Sequence, residues 1–220
     1  MAQWRLGTDH QLPRETITAL EGRLCLGLVN TFHPRSGRHT HDALTGYADL
    51  VAWNLSIGML TEEQEQYLLQ RASAHPQEAL KAFERALAVR ESLFRVFAAV
   101  AAGSSPQRED LDVMQGVFAE AMAHGYLSPT AHEFSWRWGA GERDGGGEEL
   151  NVLLWPVALS AIELFTSSAE WGRLKECPGC GWLFLDASKT GNRRWCSMDA
   201  CGSRAKMRQL YARKRAARNT

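Results

Sequence analysis

The chain has 220 residues, and its 25 Lys and Arg balance 25 Asp and Glu, so the formal net charge at pH 7 is zero. This length suits one large domain, or one medium domain with a small appendage. The sequence has no run of about 18 apolar residues that would span a membrane, and no early apolar run typical of a signal peptide, so we expect a cytoplasmic protein.

The zero net charge hides a division along the chain. Residues 173–220 carry twelve Lys and Arg against three Asp and Glu, a net charge of +9, which leaves 13 against 22, or −9, for residues 1–172. A basic segment of this kind is typical of proteins that bind nucleic acid or another polyanion. Folding of the basic segment back onto its own acidic body is the alternative.

An apolar run over residues 24–31 is the first patterned segment of the body. It is too short for periodicity to separate a helix from a strand, and we favour a buried strand. A polar loop follows it. His39, His41 and Asp42 in this loop could hold a second metal ion, although such side chains on a loop are far more often only solvated.

The next hundred residues predict helices. The spacing of apolar side chains indicates four of them, over residues 43–55, 61–73, 76–103 and 105–125. Thr61 and Gln64 have the spacing of a capping box at the start of the second helix. Pro76 suits the first position of the third helix, and Gly103 suits the left-handed position after its end.

The pattern then changes to a period of two. Phe134, Trp136 and Trp138 alternate with polar residues, which predicts a half-buried strand. We expect residues 150–154 to pair with it as a hairpin across a glycine-rich, mobile loop. Residues 156–169 then predict a helix, and Gly172 marks the boundary of the body.

Four of the five cysteines lie within 25 residues of the chain. Cys177 and Cys180 form a C-x2-C pair, and Cys196 and Cys201 form a C-x4-C pair. Two close pairs separated by a hairpin-length insert can surround one Zn²⁺ tetrahedrally. Because four thiolates leave no open position for water or substrate, we expect one structural zinc ion. Two disulfides or four idle thiols are the alternative.

A basic helix is predicted directly after the last cysteine, beginning near Asp199 or Ala200. Side chains at spacings of 4, 3, 4 and 3 share one of its faces, namely Arg204, Arg208, Tyr211, Arg215 and Arg218. We expect Met207 and Leu210, on another face, to pack against Trp182, Phe184 or Trp195 of the small module. The overall prediction is an α+β fold, mainly helical, with a helical body over residues 1–172 and a zinc-bound knuckle, hairpin and helix over residues 173–220.

The segment F-L-D-A-S-K-T-G-N-R-R-W-C-S-M-D-A-C-G-S-R-A-K-M-R resembles the CGNR-type zinc-finger family, with Ser203 where the family has asparagine. A serine at this position can also accept a hydrogen bond at a helix start. The segment L-C-L-G-L-V-N-T, residues 24–31, is similar to the opening of the ABATE domain that precedes this finger in the family. The resemblance implies a stress-induced transcription regulator.

The predicted function is therefore zinc-dependent binding of nucleic acid, most simply of DNA by a transcription regulator. The zinc module would position the basic helix, and the candidate contacts are Lys189, Arg193, Arg194, Arg204, Lys206, Arg208, Arg213, Lys214 and Arg215. The alternative is a structural zinc module that binds RNA or an acidic protein.

The body would sense a small-molecule effector or form a homodimer. A ligand pocket is predicted where the turn carrying Asn30, His33 and Arg35 meets Trp136, because polar groups and large rings converge there. We expect no catalytic activity, since the sequence has no Ser-His-Asp pattern, no nucleotide-binding loop and no H-E-x-x-H motif.

Overall fold

A computed structural model describes residues 4–5, 23–35, 40–129, 134–138 and 148–218. The elements in chain order are β1 Trp4–Arg5, α1 Leu24–Val29, β2 Phe32–His33, β3 His41–Asp42, α2 Tyr47–Ser56, α3 Glu62–Ala74, α4 Pro76–Ala101, α5 Arg108–His124, β4 Gly125–Pro129, β5 Phe134–Trp138, a 3-10 helix Glu148–Leu154, α6 Trp155–Thr166, α7 Ser168–Trp171, β6 Leu174–Glu176, β7 Leu183–Leu185, a π-helical turn Met198–Gly202 and α8 Ser203–Arg218. The fold is mainly helical with small antiparallel hairpins, as predicted.

The 26-residue helix α4 forms the centre of the body. It packs against α1, α2, α3, α5 and the β6–β7 hairpin. Pro76 occupies its first turn, and Gly103 follows its end with a φ of 69°. Both features match the prediction, because the amides of a first turn have no partner within the helix, so proline loses nothing there, and glycine adopts positive φ without strain.

The predicted capping box at the start of α3 is confirmed. The Thr61 hydroxyl accepts a hydrogen bond from the Gln64 amide at 3.3 Å, and the Gln64 side-chain oxygen accepts one from the Thr61 amide at 2.9 Å. The two side chains thus satisfy two backbone donors that a helix start leaves unpaired.

The prediction of a strand over residues 24–31 is wrong. Leu24–Val29 form a helix, α1, and all six of its residues are buried. The helix packs against both α4 and α6. A segment covered on several sides shows no amphipathic period, so its apolar run had the appearance of a buried strand.

The predicted strand Phe134–Trp138 is confirmed, but its predicted partner is wrong. This strand, β5, pairs with β4 and with β1 in a three-stranded antiparallel sheet of order β1-β5-β4. Residues 150–154 belong instead to the 3-10 helix Glu148–Leu154, whose run of buried apolar residues lacks the alternation of a half-exposed strand. The predicted mobile loop over residues 139–147 lies outside the described residues.

Gly125 explains how α5 turns directly into β4. A Cβ atom at this position would lie 2.9 Å from the Ala121 carbonyl oxygen and 3.0 Å from the Trp138 indole nitrogen. That indole nitrogen donates a hydrogen bond to the same carbonyl at 2.7 Å. Only glycine therefore fits at this crossing, where the helix ends and the sheet begins.

The β6–β7 hairpin connects the body to the cysteine-rich segment. Leu174 and Leu183 of this hairpin are buried in the same apolar core as α1, α4 and α6. The opposite face of the hairpin carries Phe184, which packs among the four clustered cysteines. The hairpin is thus shared between the body and the cysteine cluster.

Two leucine-to-alanine variants test whether the hairpin is shared between the core of the body and the cysteine cluster. Leu183→Ala removes a fully buried side chain and should lower the free energy of unfolding of the whole protein by about 2–5 kcal/mol. Leu210→Ala is the matched control in α8, where the leucine is 44% exposed, and should change it by less than about 0.5 kcal/mol. Denaturant unfolding followed by circular dichroism and tryptophan fluorescence measures both. A body transition that stays at its wild-type midpoint in Leu183→Ala would contradict a shared core.

Candidate metal centre and basic helix

The four predicted ligands converge on one point. The Sγ atoms of Cys177, Cys180, Cys196 and Cys201 all lie within 4.8 Å of one another, and all four side chains are buried. Among the described residues, these four cysteines form the group of His, Cys, Asp or Glu side chains whose ligand atoms lie close enough together to hold one metal ion.

The spacing of the sulfur atoms fits a tetrahedral ion. The Sγ atoms of Cys180 and Cys196 are 3.6 Å apart, and those of Cys196 and Cys201 are 3.7 Å apart. A tetrahedron with Zn–S bonds of about 2.3 Å has edges of about 3.8 Å. A disulfide needs sulfur atoms about 2.05 Å apart, and all five cysteines are free thiols. The geometry thus fits a four-coordinate metal and excludes the disulfide alternative.

Burial and mutual repulsion keep some of these thiols protonated when no cation is near. Burial is the largest cause that raises the pKa of Cys196, and the neighbouring Cys177 is the second. The pKa of Cys196 rises to about 12. Burial raises the pKa of Cys180 as well. Four thiolates can therefore exist side by side only around a positive ion, which must displace protons to bind.

The backbone of the first cysteine pair forms a tight knuckle. The Cys177 carbonyl accepts hydrogen bonds from the amides of Cys180 at 3.2 Å and Gly181 at 2.8 Å, and the Cys177 amide donates to the Trp182 carbonyl at 2.9 Å. Gly181 has a φ of 76°, which allows the chain to turn back into β7.

Asp186 organises the loop between the two cysteine pairs. Its buried carboxylate accepts hydrogen bonds from Lys175 Nζ at 2.7 Å, the Ser188 hydroxyl at 2.6 Å and the Arg193 amide at 2.7 Å. Burial opposes ionisation, but these donors hold the pKa of Asp186 well below its usual range. The loop is thus tied to β6 by an ionised carboxylate that the sequence did not single out.

Arg193 and Arg204, both predicted to contact nucleic acid, also take part in holding the metal centre. Arg193 lies over the Phe184 ring and donates to the carbonyls of Trp195 and Cys196. Arg204 donates to the Cys201 sulfur at 3.2 Å. A cationic donor at a ligand sulfur stabilises its thiolate.

The predicted pocket residues are only partly brought together. Asn30, His33 and Arg35 gather against the cysteine-rich segment, whereas Trp136 lies in β5 and stacks on Trp138 with ring centroids 6.5 Å apart.

Asn30 pairs with the backbone of β7 like a neighbouring strand. Its side-chain amide donates to the Leu183 carbonyl at 2.8 Å, and its side-chain oxygen accepts from the Leu183 amide at 3.1 Å. The Arg35 amide donates to the Cys180 carbonyl at 2.9 Å, and the His33 ring meets Trp182 edge-on at 4.6 Å. Sequence reasoning missed these contacts; the one signal was a polar residue, Asn30, at the end of an apolar run.

Asp42, part of the possible second metal site, is engaged by an arginine. Arg90 donates to its two carboxylate oxygens at 2.6 and 2.8 Å. Although burial opposes it, this pairing lowers the pKa of Asp42. His41 is exposed on the same strand, and His39 lies outside the described residues.

Helix α8 leaves the metal centre as an exposed basic rod. None of its residues is buried, and it carries seven Lys and Arg and no acidic residue. The predicted packing of Met207 and Leu210 onto the module is wrong, since these side chains are 46% and 44% exposed. The aromatic rings expected to receive them, Trp182, Phe184 and Trp195, pack around the cysteines instead.

The start of α8 is fixed by local hydrogen bonds. The Ser197 hydroxyl accepts from the Ala200 amide at 3.2 Å and caps the π-helical turn that contains Cys201. The Ser203 hydroxyl donates to the Met198 carbonyl at 3.1 Å. Ser203 therefore makes a bond across the turn at the position where the CGNR family has asparagine.

Comparison with known families agrees with this geometry. The ABATE family model, described as "putative stress-induced transcription regulator", matches residues 22–168, and the CGNR zinc finger model matches residues 173–214. No curated protein matches the chain. Across the described ranges, the structure contains no helix long and apolar enough to cross a membrane.

Two single cysteine variants test the metal centre. Cys196→Ser should abolish the stoichiometric binding of a divalent metal, because it removes one of four ligands. Cys25→Ala, which changes the buried cysteine of α1 outside the cluster, should retain it. Elemental analysis and the thiolate-to-metal absorption of the Co²⁺-loaded protein measure both. A wild-type chain that binds no metal, or a Cys196→Ser variant that binds it as tightly, would rule out the site.

Arg204 is expected to support the same centre from outside the ligand set. Arg204→Ala should weaken metal affinity by about 10–100-fold, because the Cys201 sulfur loses its cationic donor. Arg208→Ala, one turn further along α8, removes the same charge without a contact to a ligand and should leave the affinity within about twofold. Competition with a chelator of known affinity measures both. Equal losses in the two variants would show a general effect of charge.

Proposed function

The chain belongs to the ABATE family and carries a CGNR zinc finger, and from this premise we propose that it is a zinc-dependent transcription regulator that binds DNA through α8. Cys177, Cys180, Cys196 and Cys201 would hold one zinc ion. Four thiolate ligands leave that ion a structural role, in which it supplies folding free energy. The proposal assigns the chain no catalytic step.

The observation that carries the proposal is the exposed surface of α8. Its 16 residues span about 24 Å, which is long enough to lie along a DNA groove. The absence of any acidic side chain on the helix favours a polyanion as its partner. The net negative charge of the body argues against the same role for most of residues 1–172.

The metal centre would aim this helix. Cys201 lies in the turn that begins α8, and the Cys180 carbonyl is held by the body through the Arg35 amide. The direction of α8 is therefore set by the cysteine cluster and by the body together. A rigid helix loses less conformational entropy on docking than a flexible basic tail would.

The basic residues divide into two groups in this proposal. The first group would contact bases or phosphates, and its side chains are exposed: Lys189, Arg194, Lys206, Arg208, Arg213, Lys214 and Arg215. Arg193 and Arg204 also hold the module, as their hydrogen bonds to Cys196 and Cys201 require. Phosphate contacts would set the register of the helix, and base contacts would specify sequence.

The body would control this presentation by sensing a small-molecule effector or by joining two copies of the chain. A cytoplasmic location accompanies a proposal of this kind. RNA and an acidic protein are the competing partners of the same basic surface.

Titrations with labelled duplex DNA test the proposal. Neutralisation of about six phosphates should make log K fall with log salt with a slope of about −5. Arg208→Ala/Arg215→Ala should reduce the slope by about two, because each lost phosphate contact removes about one unit. Lys81→Ala/Arg108→Ala is the control, since both side chains are exposed on the body. Fluorescence anisotropy measures the affinities.

Selection from a random DNA pool, with metal-loaded and chelator-treated protein, tests the dependence on zinc. The metal-loaded form alone should recover one motif. A flat salt response, equal recovery by both forms, or tighter binding of structured RNA or an acidic peptide at the same salt would overturn DNA as the partner.

A further inference from the structure

The β2–β3 hairpin of the body presents two histidines on one face. His33 and His41 are directly opposite each other in the antiparallel pair. Cross-strand partners share a face of the ribbon. The neighbouring pair, Phe32 and Asp42, faces the other way, where Asp42 meets Arg90 and the Phe32 ring lies under the same guanidinium group.

This hairpin is fastened to the metal-binding module. The Arg35 amide, just after β2, donates to the Cys180 carbonyl, and the His33 ring lies edge-on against Trp182. The pairing of Asn30 with Leu183 fixes the chain just before β2. The histidine face therefore has a defined position beside the module from which α8 emerges.

The cysteine cluster connects this face to the start of α8, because Trp182, which the His33 ring contacts, packs against the cluster, and Arg204 donates to the Cys201 sulfur. The pKa of His33 is lowered, mainly by burial and to smaller extents by the positive charge of Arg204 and by His41. Among the described residues, the charged or titratable groups that act on His33 are thus both basic. Arg204 lies in the first turn of α8, so the hairpin and the helix present their basic groups at one place.

We propose that His33 and His41 form a second contact for the DNA backbone, beside the groove that α8 enters, so that the body takes part directly in binding. The contact rests on the proposed function and deepens it. The chemical group recognised is the phosphodiester, which attracts a protonated imidazole and accepts its N–H. Part of the otherwise acidic body then belongs to the nucleic-acid surface.

Binding of a phosphate at this face couples to proton uptake. In the free protein, burial and Arg204 favour the neutral form of His33, whereas a bound phosphate favours its protonated form. The pKa of His33 is therefore higher in the complex than in the free protein. Affinity should rise as the pH falls below the pKa of His33 in the complex, and level off below its pKa in the free protein.

DNA titrations with the metal-loaded full chain at about pH 8 and about pH 6, at one salt concentration, test this contact. The wild type should bind about tenfold more tightly at the lower pH, which corresponds to a shift of about one pKa unit on binding. His33→Gln/His41→Gln should lose most of this gain. His75→Gln removes the histidine between α3 and α4 and should keep this gain.

His41→Arg gives the opposite readout. His41 is exposed, so an arginine fits there without repacking, and its permanent charge should raise affinity at about pH 8 and flatten the pH dependence. His41→Gln alone, together with the metal content of each variant, separates the contact from any loss of packing between His33 and Trp182.

The outcomes distinguish this contact from the function on which it rests. A wild-type pH response in the double glutamine variant would overturn the histidine contact, and the proposed function would stand if Arg208→Ala/Arg215→Ala weakens binding at both pH values. Absence of DNA binding by the wild type at either pH would overturn both.

Discussion

Four buried sulfur atoms within 4.8 Å of one another impose the constraint on which the cysteine-rich segment depends. Such a group cannot ionise fully without a cation, and a bound cation would hold together the end of β6, the knuckle, the loop after Asp186 and the start of α8. The apolar cover over it is small, with Phe184 as its fully buried ring. Apart from the hydrogen bonds to the Asp186 carboxylate, residues 186–202 therefore have little else to fold around.

The constraint extends into the body because one face of the β6–β7 hairpin packs in the main core and the other packs on the cysteine cluster. Leu174 and Leu183 belong to the main core, while Phe184 belongs to the cysteine cluster. The Asn30 side chain, which belongs to the body, forms two hydrogen bonds with the Leu183 backbone in β7. Leaving either of these buried backbone groups unpaired would cost about 1–3 kcal/mol, so the contact fixes position as well as contributing stability.

Features decided by local chemistry could be predicted from the sequence. Cysteine spacing identified the four clustered thiols, the Thr61 and Gln64 pattern identified a helix start, and Gly103 identified a helix end. These signals depend on residues within a few positions of each other. The period of Phe134, Trp136 and Trp138 identified β5 for the same reason.

Features decided by distant partners could not be predicted. The pairing of β5 with β4 instead of residues 150–154 depends on which apolar runs are covered on all sides, and α1 was misassigned for that reason. Asn30 and Leu183 are separated by 153 positions, and a single sequence contains no record of their contact. The exposure of Met207 and Leu210 depends equally on how other rings, Trp182 and Trp195, fill the space around the cysteines.

The same connections give the body a physical route to the basic helix. A change in the body that moves β2 shifts Arg35, whose amide holds the Cys180 carbonyl, and Cys180 shares the sulfur cluster with Cys201 at the start of α8. Each contact in this series is direct and short, so a displacement at one end cannot be absorbed by a flexible linker. A body that senses a ligand or dimerises would need no separate linker to control α8, because the helix is oriented by the body in the first place.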